Sequence, residues 1–287
     1  MCNILVTGAE GQLGQCFQVV AKEFPIHNLI FESKKTLDIT KAESLDRVYH
    51  QHPFEGIINC AAYSKVDQAE IETEKANQIN HLGIQNLVAL AEQKDLFIIH
   101  FSTDYVFDGK QRIPFKEGHA TNPLNCYAHS KLAGEKVLRK SKCSHITFRI
   151  SWLFSPFGSN FVKTILRFSK MKKDIKVVND QFGRPTYGID FARDVLDKLN
   201  HPDFFDFNGY HYANKGAISW FEFAMKIIDF SKSSCAVNPC STSEYDTLAV
   251  RPSYSALDTE RIENHLSLSL SNWEDALQRC LKRIELK

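Results

Sequence analysis

Three glycines near the N-terminus, Gly8, Gly11 and Gly14, follow the strand-like run Ile4-Leu5-Val6 and open a helix through Phe17, Val20 and Ala21. No other feature constrains the fold as much. The first glycine permits a tight turn, the second lets backbone approach a pyrophosphate, and the third lets helix and strand touch. A helix N-terminus adds unpaired N–H groups and the positive end of a dipole. The spacing is G-x-x-G-x-x-G, not the commoner G-x-G-x-x-G, and spacing alone would fit a plain turn. Its place between a strand and a helix favours a nucleotide site.

Beyond the turn, strand-like and helix-like segments keep alternating up to residue 150. Runs rich in Val, Ile and Leu occur at 3–7, 28–31, 56–60, 97–102 and 145–150. Helices are predicted from Thr40, which forms a capping-box pattern with Glu43, over about 74–93, and over about 126–139 with Asn125 as N-cap. Such alternation predicts an α/β fold with a doubly wound parallel sheet of Rossmann type and right-handed crossovers. After Ile150 the alternation loosens and Pro156, Gly158, Gly183, Pro185 and Gly188 appear, although Ser219 with Glu222 and Ser271 with Glu274 still mark helix starts. We expect a dinucleotide-binding domain over 1–150. A smaller C-terminal substrate-binding lobe is expected over 151–287, with segments around 177–192 returning to the first domain.

Composition narrows the partners. The 287 residues carry 35 basic and 34 acidic side chains, which argues against a nucleic-acid footprint. Lys170, Lys172, Lys173 and Lys176 read as a solvated helix end. No apolar run reaches membrane-span length. The N-terminal run lacks a basic leader and breaks at Gly8, so no signal peptide is expected. The eight cysteines contain no C-x-x-C pair, so we expect no metal site, reduced thiols and a cytoplasmic location.

A second stretch completes the chemistry. Tyr127-Ala128-His129-Ser130-Lys131 lies on the helix predicted after the fourth strand, and that strand ends in Ser102-Thr103. Among nine tyrosines, roughly 0.8 such Tyr–Lys spacings would occur by chance, so context carries the weight. Four residues apart, Tyr127 and Lys131 share a helix face. Thr103 ends a strand where ligands bind in doubly wound sheets. Reducing a ketone requires a hydride from a nicotinamide and a proton for the nascent alkoxide. Tyr127 would be the general acid, Lys131 would lower the phenol's pKa and reach the nicotinamide ribose, and Thr103 would bind the carbonyl oxygen. Past the second strand, Glu32 is followed by Ser33, Lys34 and Lys35. A hydroxyl and two ammonium groups favour NADP(H) there, with NAD(H) still admissible.

These stretches resemble a known group. Thr7–Gly14, Leu37-Asp38-Ile39-Thr40, Asn59-Cys60-Ala61-Ala62-Tyr63, Val66-Asp67-Gln68-Ala69-Glu70, the segments 102–109 and 127–135, Arg149-Ile150-Ser151-Trp152, Asn160-Phe161-Val162, 180–186, 219–224 and Arg251-Pro252 are similar to the extended short-chain dehydrogenase/reductases. Within these they resemble most the dTDP-4-dehydrorhamnose reductases. The resemblance implies NADPH-dependent reduction of the 4-keto group of dTDP-6-deoxy-L-lyxo-4-hexulose to dTDP-L-rhamnose, with Thr103, Tyr127 and Lys131 catalytic. It implies cofactor contacts at Gly11, Gln12, Leu13, Asp38, Ile39, Ala62, Tyr63 and Ser64. It implies sugar contacts at Thr103, Asp104 and Trp152, and contacts to the nucleotide portion at Asn160, Gln181 and Arg251. Gln15 and Cys16 stand where some members carry an acidic residue of a metal-bridged dimer, so no metal is assigned and a homodimer is left open. Alternatives on the same fold are another nucleotide-sugar 4-ketoreductase, an epimerase, or a catalytically silent regulatory subunit.

Overall fold

In the computed structural model, which describes residues 2–285, six parallel strands form one sheet. They are β1 (Cys2–Thr7), β2 (His27–Glu32), β3 (Gly56–Asn59), β4 (Phe97–Thr103), β5 (His145–Ile150) and β6 (Gly209–Tyr212), in the order β6-β5-β4-β3-β1-β2. Successive side chains point to opposite sides, and both faces of the sheet carry apolar residues. Ile4, Val6, Ile58, Ile99 and Phe101 join one cluster, while Leu5, Ile57 and Ile98 join another.

Helices must therefore cover both faces. The longer ones are α1 (Gln12–Val20), α2 (Ala42–Gln51), α3 (Gly83–Lys94), α4 (Cys126–Lys140), α5 (Phe161–Met171), α6 (Gly188–Lys198), α7 (Trp220–Phe230) and α8 (Trp273–Glu285). Phe17 and Val20 of α1 and Phe191 and Val195 of α6 cover the first face. Leu45 and Val48 of α2, Leu87 of α3 and Leu138 of α4 cover the second. Each such side chain, fully buried, contributes about 1.5–3 kcal/mol. Phe191 meets both Phe101 and Phe148 edge-on, at 5.3 and 5.4 Å, which ties α6 to β4 and β5.

Several local expectations change on contact with tertiary structure. Asn125 caps α4 by accepting the Ala128 N–H at 2.9 Å, and the Ser219–Glu222 box is reciprocal. Thr40 does not cap α2. Its hydroxyl donates to Asp38 Oδ1 at 2.7 Å, and the helix starts after Lys41. Ser271 is drawn away by Asn214 and Arg279, and Asn272 Oδ1 takes the Glu274 N–H at 2.9 Å instead. The helix predicted over 74–93 is broken by a π-helical turn at Gln78–Leu82. There α4 presses close: a Cβ on Gly134 would lie 2.3 Å from the Asn80 carbonyl oxygen. In that turn Asn80 hydrogen-bonds both the N–H and the carbonyl of Tyr63, each at 2.9 Å.

The second half carries short strand pairs, Asp174–Val178 with Ala236–Cys240, Leu153–Phe154 with Thr186–Tyr187, and Phe182–Gly183 with Ile218–Ser219. It re-enters the first half through α6, packed on α1, and through β6, a strand with no clear signal in the sequence. All eight cysteines are free thiols. No helix among the described residues is long and apolar enough to cross a membrane. The strand order reverses at β1 and β3, so a ligand crevice is expected above their C-terminal ends.

Candidate active site

The glycine turn opens into that crevice. Gly8 has φ of 62°, and a Cβ there would lie 2.6 Å from the Ala61 backbone nitrogen. A Cβ on Gly14 would lie 2.5 Å from the Gly8 carbonyl oxygen, so α1 and β1 approach only without side chains. Gly11 donates its N–H to Gly8 O at 2.9 Å and is the N-cap of α1, with no side-chain cap. The first amides of α1 are thus left to an outside acceptor, and Gly11, Gln12 and Leu13 line the crevice. This cradle fits a dinucleotide pyrophosphate.

A smaller cavity of about 170 Å³ continues from the turn, lined by Gly8, Gly11, Lys34, Leu37, Asp38, Ile39 and Ala62 among others. Burial works against the Asp38 carboxylate, but the Thr40 hydroxyl and N–H and the Lys34 ammonium hold its pKa below the usual range. Ser33 and Lys35 do not line this cavity, and the Ser33 Oγ is engaged within the turn, accepting the Lys35 N–H at 3.2 Å. Lys34 is therefore the cation of that trio that fronts the cavity. Ala62 and Ser64 also line the main crevice. Tyr63 lines neither cavity, and its phenol donates to Glu72 Oε2 at 2.7 Å.

The main crevice holds about 650 Å³ and brings together Thr103, Asp104, Tyr127, Lys131, Trp152, Asn160, Gln181 and Arg251. Thr103 Oγ1 donates to Asp104 Oδ1 at 3.1 Å and accepts the Tyr105 N–H at 3.2 Å, which fixes its rotamer. Burial pushes the Tyr127 phenol up to about 12, with the Thr103 hydroxyl working in the opposite direction. The Asp104 charge raises it further, and the expected lowering by Lys131 is not among the influences on this phenol, which is a protonated acid at neutral pH. Lys131 is itself buried, which brings it down to about 8 against the opposing pull of Glu135. Its Nζ donates to the Phe101 carbonyl at 2.6 Å. Burial raises Asp104 to about 7, offset in part by the Ser255 and Thr103 hydroxyls.

At the far end Trp152 adopts φ of 47°, a conformation costly for a bulky residue. Its indole stacks on Trp220 at 3.5 Å between centroids and 8° between planes. Its other neighbour is Gly183, where a Cβ would lie 2.5 Å from Trp152 Cε2. Trp152 is thus both core and crevice wall, and Trp220 is a lining residue that sequence reading missed. Asn160 lines the crevice, but its side chain caps α5 through the Lys163 N–H at 3.2 Å and donates to Ser155 O at 2.8 Å. Gln181 Nε2 donates to Thr242 Oγ1 at 3.1 Å. Arg251 grips Asp67 with two bonds, of 3.1 and 2.5 Å, and Asp67 also takes the Ala249 N–H at 3.1 Å. This clasp holds the segment around 249–251 against Asp67 at the crevice wall, a role for Asp67 that only tertiary contact reveals.

Comparisons with known proteins place the chain in a family. The family model described as RmlD substrate binding domain matches residues 2–286. The dTDP-4-dehydrorhamnose reductase of Aggregatibacter actinomycetemcomitans is 35% identical, covering 97% of this chain and 98% of its own length. That of Escherichia coli strain K12 is 34% identical, covering 98% of each. The crystal structure of dTDP-4-dehydrorhamnose reductase from Bacillus anthracis, in complex with NADP, superimposes with a TM-score of 0.92 at 36% identity, over 98% of this chain and 99% of that one. With the match running through both the glycine turn and the Tyr127–Lys131 helix, this chain belongs to the RmlD substrate binding domain family.

Proposed function

We propose that this chain is an NADPH-dependent oxidoreductase that reduces the 4-keto group of dTDP-6-deoxy-L-lyxo-4-hexulose to give dTDP-L-rhamnose. The observation that carries the reading is the convergence of Thr103, Tyr127 and Lys131 in one crevice that starts at an uncapped helix N-terminus. Bound NADPH supplies the hydride that the carbonyl carbon receives. The protein's part is the proton and its placement. Tyr127, held as a neutral phenol, gives its proton to the carbonyl oxygen as negative charge develops there. Thr103 donates a hydrogen bond to the same oxygen, which requires its hydroxyl to swing from Asp104. Lys131 then re-supplies positive field beside the phenolate left behind.

Gly8, Gly11, Gln12 and Leu13 would hold the pyrophosphate, with Gly14 lining neither cavity and serving the helix–strand contact instead, Lys34 would hold the 2′-phosphate, and Asp38, Ile39 and Ala62 the adenosine end. Asp104 and Trp152 would meet the sugar, and Gln181 and Arg251 the nucleotide portion. Asn160 would act through the loop that it holds. In this reading residues up to about 150 serve the cofactor and the remainder chiefly serves the substrate, in the cytoplasm, where eight free thiols are at home. The test is NADPH consumption by purified protein. Oxidation that starts only on adding the dTDP-4-keto-sugar, with a rhamnosyl product by NMR, supports the proposal. Consumption indifferent to the sugar, or none, contradicts it.

A further inference from the structure

Strands β1, β3 and β4 set Thr7, Asn59 and His100 side by side, since Thr7 pairs with Asn59 and Asn59 with His100 in the sheet register. All three are buried. Two residues on from Leu5, Ile57 and Ile98, they share the face that α4 covers. The Thr7 hydroxyl donates to Asn59 Oδ1 at 2.6 Å, Asn59 Nδ2 lies 3.1 Å from His100 Nδ1, and His100 Nε2 lies 3.4 Å from Lys131 Nζ. The row ends on the ammonium of the crevice, and no step described above uses it.

An ammonium has three protons to place. The Phe101 carbonyl takes one at 2.6 Å, and His100 Nε2 stands where a second points. The third is left for the crevice. A neutral imidazole has one N–H and one lone pair, and its partners decide which nitrogen carries which. Facing a charged Lys131, Nε2 offers its lone pair and Nδ1 carries the proton, which requires the Asn59 amide to turn its oxygen to Nδ1 and its nitrogen to the Thr7 hydroxyl, the reverse of the pairing described above. With the Asn59 nitrogen toward Nδ1, Nε2 carries the proton and the facing amine is neutral. An imidazole between an amide and an amine thus satisfies either charge of Lys131, whereas a phenyl ring satisfies neither.

The surrounding charges leave His100 neutral. Lys131 is faced by His100 from β4, by Glu135 one turn along α4 and by Tyr127 one turn before it. Glu135 is itself bound by Arg149 at 2.7 Å and by the Ser102 hydroxyl at 2.5 Å. His100 is faced by Lys131 and, from β5, by His145. Burial first, then those two neighbours, hold its pKa well below the usual imidazole range.

We propose that His100 is a positioning residue for Lys131, which takes its second proton, aims the third into the crevice and remains its partner when the ammonium loses a proton. The proposal rests on the reading of Tyr127 and Lys131 as the catalytic pair, and His100 acts only through Lys131.

The experiment is the pH profile of kcat for His100→Phe and His100→Gln with NADPH and keto-sugar saturating. A lost acceptor favours the neutral amine. In His100→Phe the alkaline limb, set by Lys131, should therefore move down by about one unit, the low end for a hydrogen bond to a charged group. Well above pH 8 its kcat should fall by about tenfold, as one unit implies, and at pH 7 by only about twofold. His100→Gln, whose amide can accept or donate, should recover most of both. An unmoved limb in His100→Phe, or a Gln variant no better than Phe, overturns the role. If the Phe variant does not fold, the ¹⁵N resonances of His100 in wild-type protein, identified by their loss in His100→Gln, decide. A change of tautomer through the titration of Lys131 supports the proposal, and one tautomer throughout overturns it. Lys131→Met separates the two readings. An active Lys131→Met contradicts the catalytic pair, while an inactive one beside an unmoved His100→Phe profile contradicts only the role of His100.

Discussion

Asp104→Asn should stabilise the ligand-free protein at pH 8 and change it little near pH 4.5. Asp104 is 2% exposed, and burial lifts its carboxyl to about 7. The unfolded value is about 3.9. Between these values the folded state binds more protons than the unfolded one, so stability falls as pH rises from about 4 to about 7 and stays lower above that. Some three pH units at about 1.4 kcal/mol each set an upper figure of about 4 kcal/mol. The amide keeps only part of what Thr103 and Ser255 give the carboxylate, so about 2 kcal/mol is expected. With an unfolding entropy of about 2.1 cal/mol/K per residue over 287 residues, that is about 3 °C in Tm. Thermal melts of both proteins from pH 4.5 to 8.5 at constant ionic strength read it out. The advantage of the variant should grow with pH and level off above 7. An equal offset at every pH, or an advantage that shrinks as pH rises, would refute the burial argument. The same change should weaken the keto-sugar and leave NADPH binding nearly as it was.

Other substitutions probe the two ends of the crevice. Gly183→Ala should push the Trp152 indole out of its stack on Trp220, because the added methyl would lie 2.5 Å from Trp152 Cε2. A sugar KM several-fold higher with unchanged NADPH affinity is the expected result, and unchanged kinetics would remove Trp152 from the sugar subsite. Lys34→Ala should weaken NADPH by about tenfold and leave NADH alone, as loss of one phosphate-facing charge-assisted hydrogen bond implies. Lys35→Ala should do neither, since Lys35 does not line the cavity. Cofactor titration by fluorescence distinguishes these outcomes, and equal losses for NADPH and NADH would put the 2′-phosphate elsewhere.

What was legible in the sequence was local or periodic. The strands at β1, β4 and β5 stand within a residue of the runs rich in Val, Ile and Leu, because buried strands concentrate such residues, although β5 alternates Ile146, Phe148 and Ile150 with His145, Thr147 and Arg149. The glycine turn was legible because only glycine tolerates the close approaches at Gly8 and Gly14. The crevice gathers most of the expected residues, but Tyr63 faces Glu72 and Asn160 caps α5, since local hydrogen-bond partners claim their polar atoms. The rest depended on distant partners. The π-turn at Asn80 answers to Gly134, and β6 forms only because β5 offers an open edge. Trp220 enters the crevice through its stack on Trp152, and Asp67 is defined by Arg251. His100 did leave a trace, a polar residue on the inward phase of an apolar strand, yet its meaning appears only beside Lys131.

The most direct measurement follows the transferred atom. Wild-type protein and Tyr127→Phe are given the dTDP-4-keto-sugar with NADPH deuterated at the transferable position, and the product is read by NMR. The account predicts deuterium at C4 of the wild-type product. In Tyr127→Phe it predicts the same label at a rate lower by about 10²–10⁴-fold, with NADPH affinity retained, because only the proton donor is gone. A wild-type product without deuterium at C4, or a Phe variant that keeps more than roughly half the wild-type kcat, would contradict it.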